Sequence, residues 1–589
     1  MKNYITILLL LLIGGNALSA QKTEQKQNQD AVFDEYKVKF IEQLWQIYPA
    51  WASSVGYHAY DSLLIAPDDA SRNRELKFIS MQDSLLHQFN IDTLSPNNRM
   101  DYKLLENYFQ SVRFNISVFK SYEWDPSTYN IGSGIFDILD YHQYSLEDKL
   151  RILTLKLSKV PAYYAAAKKS IVKPTREHTL LAVSQNKGTM AFFLKDLPDS
   201  LKLAKLNPAE VALFEKNKSL AKAAVENYLN WLTADVLPKL TDKNSHSFRI
   251  GKELYEKKFA LELNSAYTAK QMYNKALARK QFVHAEMTKV ADGLWPKYFG
   301  SRSRPKDSLT LIHLLIDTIS VQHCNREDFL RTIQRQLPEL VQFVNEHHLL
   351  GLDPTKPLEV RSTPGYMAGV AGASLNSPGP YDKGGVTYYN VTPLTDYTDS
   401  EAESYLREYN NYVLQILNIH EAIPGHYVQG VYANRSPSII KTILGNGATV
   451  EGWACYVERM MLEEGYKDSP EMLLFYYKWN LREVCNFILD YNIHCNNWSR
   501  EQVQNLLVNE AFQQTTEAIE KYRRATLSQV QLASYFTGLT ELYEFREEAK
   551  VKLGDKFKLN KFHERFLSFG SAPIKEIRQL LMKQERVKE

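Results

Sequence analysis

The sequence carries His420-Glu421-Ala422-Ile423-Pro424-Gly425-His426 in one run, two imidazoles with a carboxylate directly after the first. Paired imidazoles hold Zn²⁺, and a carboxylate beside the metal acts as general base toward water. The usual zinc-peptidase helix spaces its histidines by four, so that both face one way. Here the spacing is six, about 600° of helical turn, and a regular helix cannot aim both rings at one ion. Pro424 and Gly425 supply the irregularity. Proline withholds a backbone donor and glycine accepts unusual torsions, so the helix can bulge or restart and bring His426 back beside His420. Two unrelated histidines, one of them in the core, are the alternative at this point.

A third ligand follows. Glu451 opens Glu451-Gly452-Trp453-Ala454-Cys455-Tyr456-Val457-Glu458, in which Val450, Trp453, Ala454, Val457 and Met461 form the apolar face of a helix. The pattern puts Glu451 in the first turn of that helix. A carboxylate on a helix after the histidine pair completes a His₂Glu zinc site and leaves a fourth position for water. A solvated glutamate favoured by the helix macrodipole is the competing reading.

The elements that must position these groups are helical. Apolar residues recur at three- and four-residue steps over Phe33 to Tyr57, Met100 to Phe114, Leu146 to Ala167, Pro208 to Leu232 and Ser265 to Ala291. Ser400 and Glu403 form a capping box, and Leu406, Tyr409, Val413, Ile416 and His420 continue one inward stripe from it. Between Ser362 and Thr398 the texture changes, with Pro364, Gly365, Gly369, Gly372, Pro378, Gly379, Pro380, Gly384, Gly385 and Pro393 crowded together. Val386 to Val391 within it reads as a short strand. The fold class is therefore mainly α, with a short β element before the metal-binding helix.

Composition agrees. With 589 residues the chain exceeds the ~250–300 at which single cores stop growing, so several layers or two lobes are expected. Gly 25 and Pro 22 are few for that length, which leaves long elements between turns. Lys+Arg 71 against Asp+Glu 68 leaves a net +3, without the basic excess of a nucleic-acid binder. Residues 1–20 have a positive start at Lys2, an apolar run from Ile5 to Ile13 and a small-residue exit at Ala17 to Ala20, the pattern of a cleaved secretory signal. No cysteine lies near that exit to take a lipid anchor, and no later stretch is long and apolar enough to stay in a membrane. Residues 21–30 read as a linker and 31–589 as the working domain, divided into an N-terminal helical lobe at about 31–350 and a motif-bearing lobe at about 351–589. Cys485 and Cys495, if on one helix, lie ~15 Å apart, too far for a disulfide.

The His-Glu-Ala-Ile-Pro-Gly-His run, the Glu-Gly-Trp-Ala after it, and Asp490-Tyr491-Asn492-Ile493-His494 leading to Trp498-Ser499-Arg500-Glu501 resemble the bacterial DUF885 family. Gln531, Ser534, Tyr535 and Gly538 fit that family's Gln-x-x-Ser-Tyr-x-x-Gly element, and Phe562-His563 with Gly570 fit its tail. Two departures stand out: Gln529-Val530 replaces the family's usual Pro-Gly, and Tyr522 lies three residues upstream of the usual Arg-Tyr pair. The family is similar to helical gluzincin-type metallopeptidases, the carboxypeptidase Taq and oligopeptidase group.

This resemblance implies a large bilobal helical zinc metallopeptidase of oligopeptidase or carboxypeptidase type. It would be exported to the bacterial periplasm and act on short peptides. His420, His426 and Glu451 would hold Zn²⁺, which brings the pKa of its water toward ~7 and polarises the carbonyl, while Glu421 takes the proton and passes it to the leaving amine. Tyr535 is the first candidate to steady the oxyanion, Tyr522 the second and His494 a third, each also fitting a core role. Gly538, one turn past Tyr535, is expected to leave room for a ligand. Related peptidases bind substrate along an exposed strand edge, a role for Val386 to Val391, and Arg523 and Arg524 are candidates to clamp a substrate carboxylate. The alternatives are a zinc hydrolase of a non-peptide substrate and an inactive helical peptide-binding protein.

Overall fold

The computed structural model describes residues 29–584 apart from 242, 364–372, 383 and 396. The leader, most of the expected linker and four of the clustered turn residues, Pro364, Gly365, Gly369 and Gly372, lie outside the described residues. The remainder is mainly α, with one small sheet.

The helices of the motif-bearing half that position the site are α1 (Asp399–Glu408), α2 (Val413–Glu421), α3 (His426–Ala433), α4 (Gly447–Glu463), α5 (Pro470–Cys495), α6 (Thr515–Leu527) and α7 (Ser534–Leu553). Helix α5 is buried along nearly its whole length, which explains its unbroken run of large apolar residues. Ala269–Phe299 packs along it, and α7 crosses both α4 and α5. The α4–α7 crossing is unusually close. A Cβ on Gly538 would lie 1.7 Å from the Ala448 carbonyl oxygen and 2.6 Å from Gly452 Cα, so the backbones touch where two glycines meet. Gly538 therefore makes room for a helix, not for a ligand.

The inward stripe from Leu406 to His420 is two helices. Thr398, with Glu401 as its partner, forms the capping box in place of Ser400 and Glu403. The break falls at buried Asn410, whose Nδ2 donates to Arg407 O (3.0 Å) while its Oδ1 accepts from Tyr412 N (3.1 Å) and Val413 N (3.2 Å). One side chain thus closes α1 and opens α2, a local use of asparagine that apolar periodicity does not register. Leu146 to Ala167 likewise divides, into Leu146–Leu157 and Val160–Ser170.

The strand expected at Val386 to Val391 is β3 (Thr387–Val391), in the middle of the order β1 (Leu358–Ser362), β3, β2 (Ala373–Asn376). It runs parallel to β1 and antiparallel to β2. Tyr389 on β3 is fully buried and donates from its hydroxyl to Asn418 Oδ1 on α2 (2.9 Å), which docks the sheet on the helix that ends in His420 and Glu421.

Among the described residues two hydrophobic clusters result. The larger gathers residues from Phe33 to Trp124 and from Ile250 to Leu581; the smaller runs from Tyr129 to Leu232. The cores are thus divided differently from the 31–350 and 351–589 halves. The four cysteines are free, and Cys485 and Cys495 both lie on α5.

Candidate metal centre

Helix α2 stops at Glu421 and α3 starts at His426. Gly425 fills the tightest point between them: a Cβ there would stand 1.9 Å from His420 O and 2.3 Å from Ile419 O. The chain therefore folds back on the end of α2, and the six-residue spacing becomes a side-by-side pair with ring centroids 4.7 Å apart and planes at 86°. Trp453 Nε1 on α4 donates to Pro424 O (2.9 Å), tying this turn to the helix that carries Glu451.

Glu451 Oε2 lies 3.4 Å from His426 Nε2 and 3.7 Å from His420 Nε2. One ligand atom from each of the three residues falls within 4.8 Å of the others. Glu451 stands in the second turn of α4, which Asn446 caps by accepting from Thr449 N (3.1 Å), so the first-turn macrodipole reading does not apply to it. Glu421, His426 and Glu451 line a cavity of about 310 Å³ together with Leu375, Gln429, Gly430, Val450 and Ser571.

The electrostatics suit a cation. Burial holds the His420 imidazole below its ordinary pKa, with the neighbouring His426 adding to this, so the ring is neutral. Burial acts the same way on His426, but the hydrogen bond to Glu451 and the charges of Glu451 and Glu421 outweigh it and raise the ring to about 9. Glu451 is lowered: burial pushes it up, and the two histidines pull it down further. Glu421 is raised, burial outweighing the histidines.

Behind His420 stands a residue to which the sequence reading gave no role. His420 Nδ1 donates to Glu458 Oε1 (2.6 Å), which also accepts from Trp479 Nε1 (3.0 Å). This bond fixes the tautomer and turns the Nε2 lone pair toward His426 and Glu451, the arrangement that orients metal-binding imidazoles. Burial pushes up the carboxyls of Glu458 and its neighbour Glu483. Asn480 Nδ2 donates to Glu483 Oε2 (2.9 Å). Glu458 was legible in the sequence, since it follows Glu451 by two helical turns and so shares its face.

A second group, His420, Cys455 and Glu458, also brings three donor atoms together. It fits a metal less well. Burial holds the Cys455 thiol well above its ordinary range, so no thiolate is offered, and His420 Nδ1 is committed to Glu458. The His₂Glu set, with a neutral His420, an ionised carboxylate and a cavity beside it, fits Zn²⁺ once the His426 ring gives up its proton.

The remaining candidates separate. Tyr535 on α7 reaches the site, its ring stacked on His420 at 6.5 Å and 20°, and Arg524 Nη2 donates to its oxygen (3.3 Å). Tyr522 packs half-buried against the large core. Arg523 is exposed and pairs with Glu520 at 3.4 Å. His494 is not brought to His420, His426 and Glu451. It is a core residue whose Nε2 donates to Ala525 O (3.1 Å) and Ser528 O (3.0 Å) at the end of α6. Asp490, one turn earlier, accepts from Tyr255 OH (2.6 Å) and Val530 N (2.9 Å) on one oxygen. The Asp490-to-His494 segment therefore anchors the turn between Arg524 and Tyr535. Val530 in that turn holds φ +72°, the left-handed region that a glycine would adopt without strain.

A family model described as "Bacterial protein of unknown function (DUF885)" matches residues 49–581. The structure of "a putative lipoprotein of unknown function" from Shewanella oneidensis aligns with a TM-score of 0.85 at 50% identity, covering 93% of this chain and 99% of that one. A Colwellia psychrerythraea protein, also described as a "putative lipoprotein", aligns with a TM-score of 0.75 at 16% identity over 95% of this chain and 99% of its own, a likeness of fold. None of the curated proteins matches. The chain belongs to the DUF885 family.

Proposed function

We propose that the protein is an exported zinc-dependent hydrolase that cleaves peptide bonds in short peptides. The observation that carries this reading is the convergence of His420, His426 and Glu451 beside a cavity that Glu421 also lines. The family's likeness to helical gluzincin-type peptidases belongs to the same reading. Zinc, when bound, lowers the pKa of water toward ~7 and polarises a carbonyl.

The protein's own groups do the rest. Glu421 receives the proton of the attacking water on a carboxylate oxygen and returns it to the leaving amine nitrogen, and its raised pKa suits both steps. Tyr535 donates to the developing oxyanion. Arg524 can only donate, so its bond to the phenol oxygen leaves the phenol proton free for substrate. The strand edge offered to an extended peptide is that of β2, because β3 is paired on both sides and Leu375 of β2 lines the cavity. Export is supported by the leader pattern of residues 1–20 and by the description of the 50%-identical Shewanella protein as a lipoprotein. No helix among the described residues is long and apolar enough to cross a membrane.

A mass-spectrometric digest of mixed peptides by zinc-loaded protein, run beside Glu421→Gln, tests the reading. Defined cleavage by the parent protein that disappears in the variant supports it; intact peptides in both reject it.

A further inference from the structure

Beside the metal centre lies an imbalance of charge. Arg482 on α5 sits over the Trp479 ring at 5.1 Å, and that ring lies 6.5 Å from His420. Arg524 and Lys521 project from α6, and Arg524 reaches Tyr535, whose ring stacks on His420. Lys478 joins them from α5. These four basic groups share two carboxylates. Glu408 pairs with Lys478 at 2.8 Å and lies 3.6 Å from Arg482; Glu517 pairs with Arg482 at 2.6 Å and lies 3.9 Å from Lys521. Arg524 forms no ion pair among the described residues, its guanidinium donating to Gln531 Oε1 (2.8 Å) and to Tyr535.

Part of this cluster is buried: Lys521 is 4% exposed with no carboxylate within hydrogen-bonding distance, and burial, with Arg482 and Arg524 beside it, holds its amine well below the ordinary lysine range. Arg482 Nη1 is buried without a hydrogen bond. Buried cations are ordinarily paired one to one, and a buried guanidinium nitrogen without an acceptor is destabilising. An arrangement of this kind is satisfied by an arriving anion, and guanidinium groups match a carboxylate in geometry.

We propose that Arg482, Lys521 and Arg524 form the subsite for the C-terminal carboxylate of a peptide, so that the enzyme removes residues from the C-terminal end of its substrates. The proposal rests on the peptidase reading above and names its substrate class. The burial of Arg482 Nη1 and of Lys521 favours a chain end over a side chain passing along the cleft. The closeness of Arg524 to Tyr535 puts that end near the scissile bond. Arg524 thereby has two contacts, the phenol and the substrate terminus.

Binding to zinc-loaded Glu421→Gln protein separates this subsite from catalysis. Calorimetry with Ala-Ala-Phe-Ala and its C-terminal amide should show the free acid binding about tenfold or more tighter, a preference abolished by adding Arg524→Met, an exposed position, and reduced by Lys521→Met. Equal affinity for acid and amide, or no binding of either, overturns the subsite. So does an amidated peptide ending in glutamate that binds as tightly as the free acid, since the site would then read a side chain. With wild-type protein, hydrolysis of both acid and amide keeps the peptidase reading and rejects the terminal one. If acid-selective binding is seen without hydrolysis of either, the subsite stands and the peptidase reading falls.

Discussion

Glu421 faces the same cavity as His426 and Glu451, and nothing about its shape is lost on conversion to the amide. Glu421→Gln should keep one zinc per chain and slow peptide hydrolysis by about 10²–10⁴-fold, since only the proton acceptor is removed. Elemental analysis beside a rate assay checks both; retained turnover would assign the base elsewhere. For Tyr535→Phe the expected effect is a fall in kcat of about 10²–10³ with zinc content and melting temperature kept. A lowered melting temperature with normal kcat would return Tyr535 to a packing role. His426 sets a pH dependence. Its ring, raised to about 9 in the metal-free protein, must lose its proton to bind metal. Zinc affinity should therefore rise with pH by up to about tenfold per unit below 9 and level off above it, as read by competition with a chelator. An affinity flat from pH 6 to 9 would remove His426 from the ligand set.

At the scale of elements, the site depends on how α4, α5 and α7 meet. Gly538→Ala drives a methyl into the backbone of α4 at Ala448, and overpacking of this kind costs about 1–3 kcal/mol or more. Because Glu451 adjoins Gly452 at the same crossing, the variant should lose both melting temperature and zinc affinity. His494→Ala should behave differently. Two buried carbonyls lose their donor, at about 1–3 kcal/mol, while zinc stays bound. The contrast shows what a sequence discloses. Helical periodicity marks buried faces, so the His420 helix, the Glu451 helix and the β3 strand were legible, as was the need for a break at Pro424-Gly425. Periodicity reports faces, not neighbours. The break at Asn410 rests on one side chain's hydrogen bonds, Gly538 faces a helix instead of a ligand, and β3 has strands on both sides. Each depends on what packs opposite. The basic cluster was also hidden, apart from Arg524, because Arg482 and Lys521 come from separate helices and look alone like ordinary solvated cations.

For the whole molecule, the helices that carry His420, His426 and Glu451 belong to the larger core, while the helices between Tyr129 and Leu232 close around their own. The two meet at His178, whose Nε2 donates to Leu527 O (3.1 Å), the C-terminal end of the helix that carries Lys521 and Arg524. Phe214→Ala in the smaller core should cost about 3–5 kcal/mol and lower the melting temperature while leaving the zinc site loaded. Loss of zinc in that variant would mean that the two cores unfold as one.

Anomalous diffraction at the zinc edge from zinc-loaded crystals reads the ligand set directly. The predicted result is a single anomalous peak bounded by His420 Nε2, His426 Nε2 and the Glu451 carboxylate. A peak among His420 Nδ1, Cys455 and Glu458, or none at either group, would contradict it.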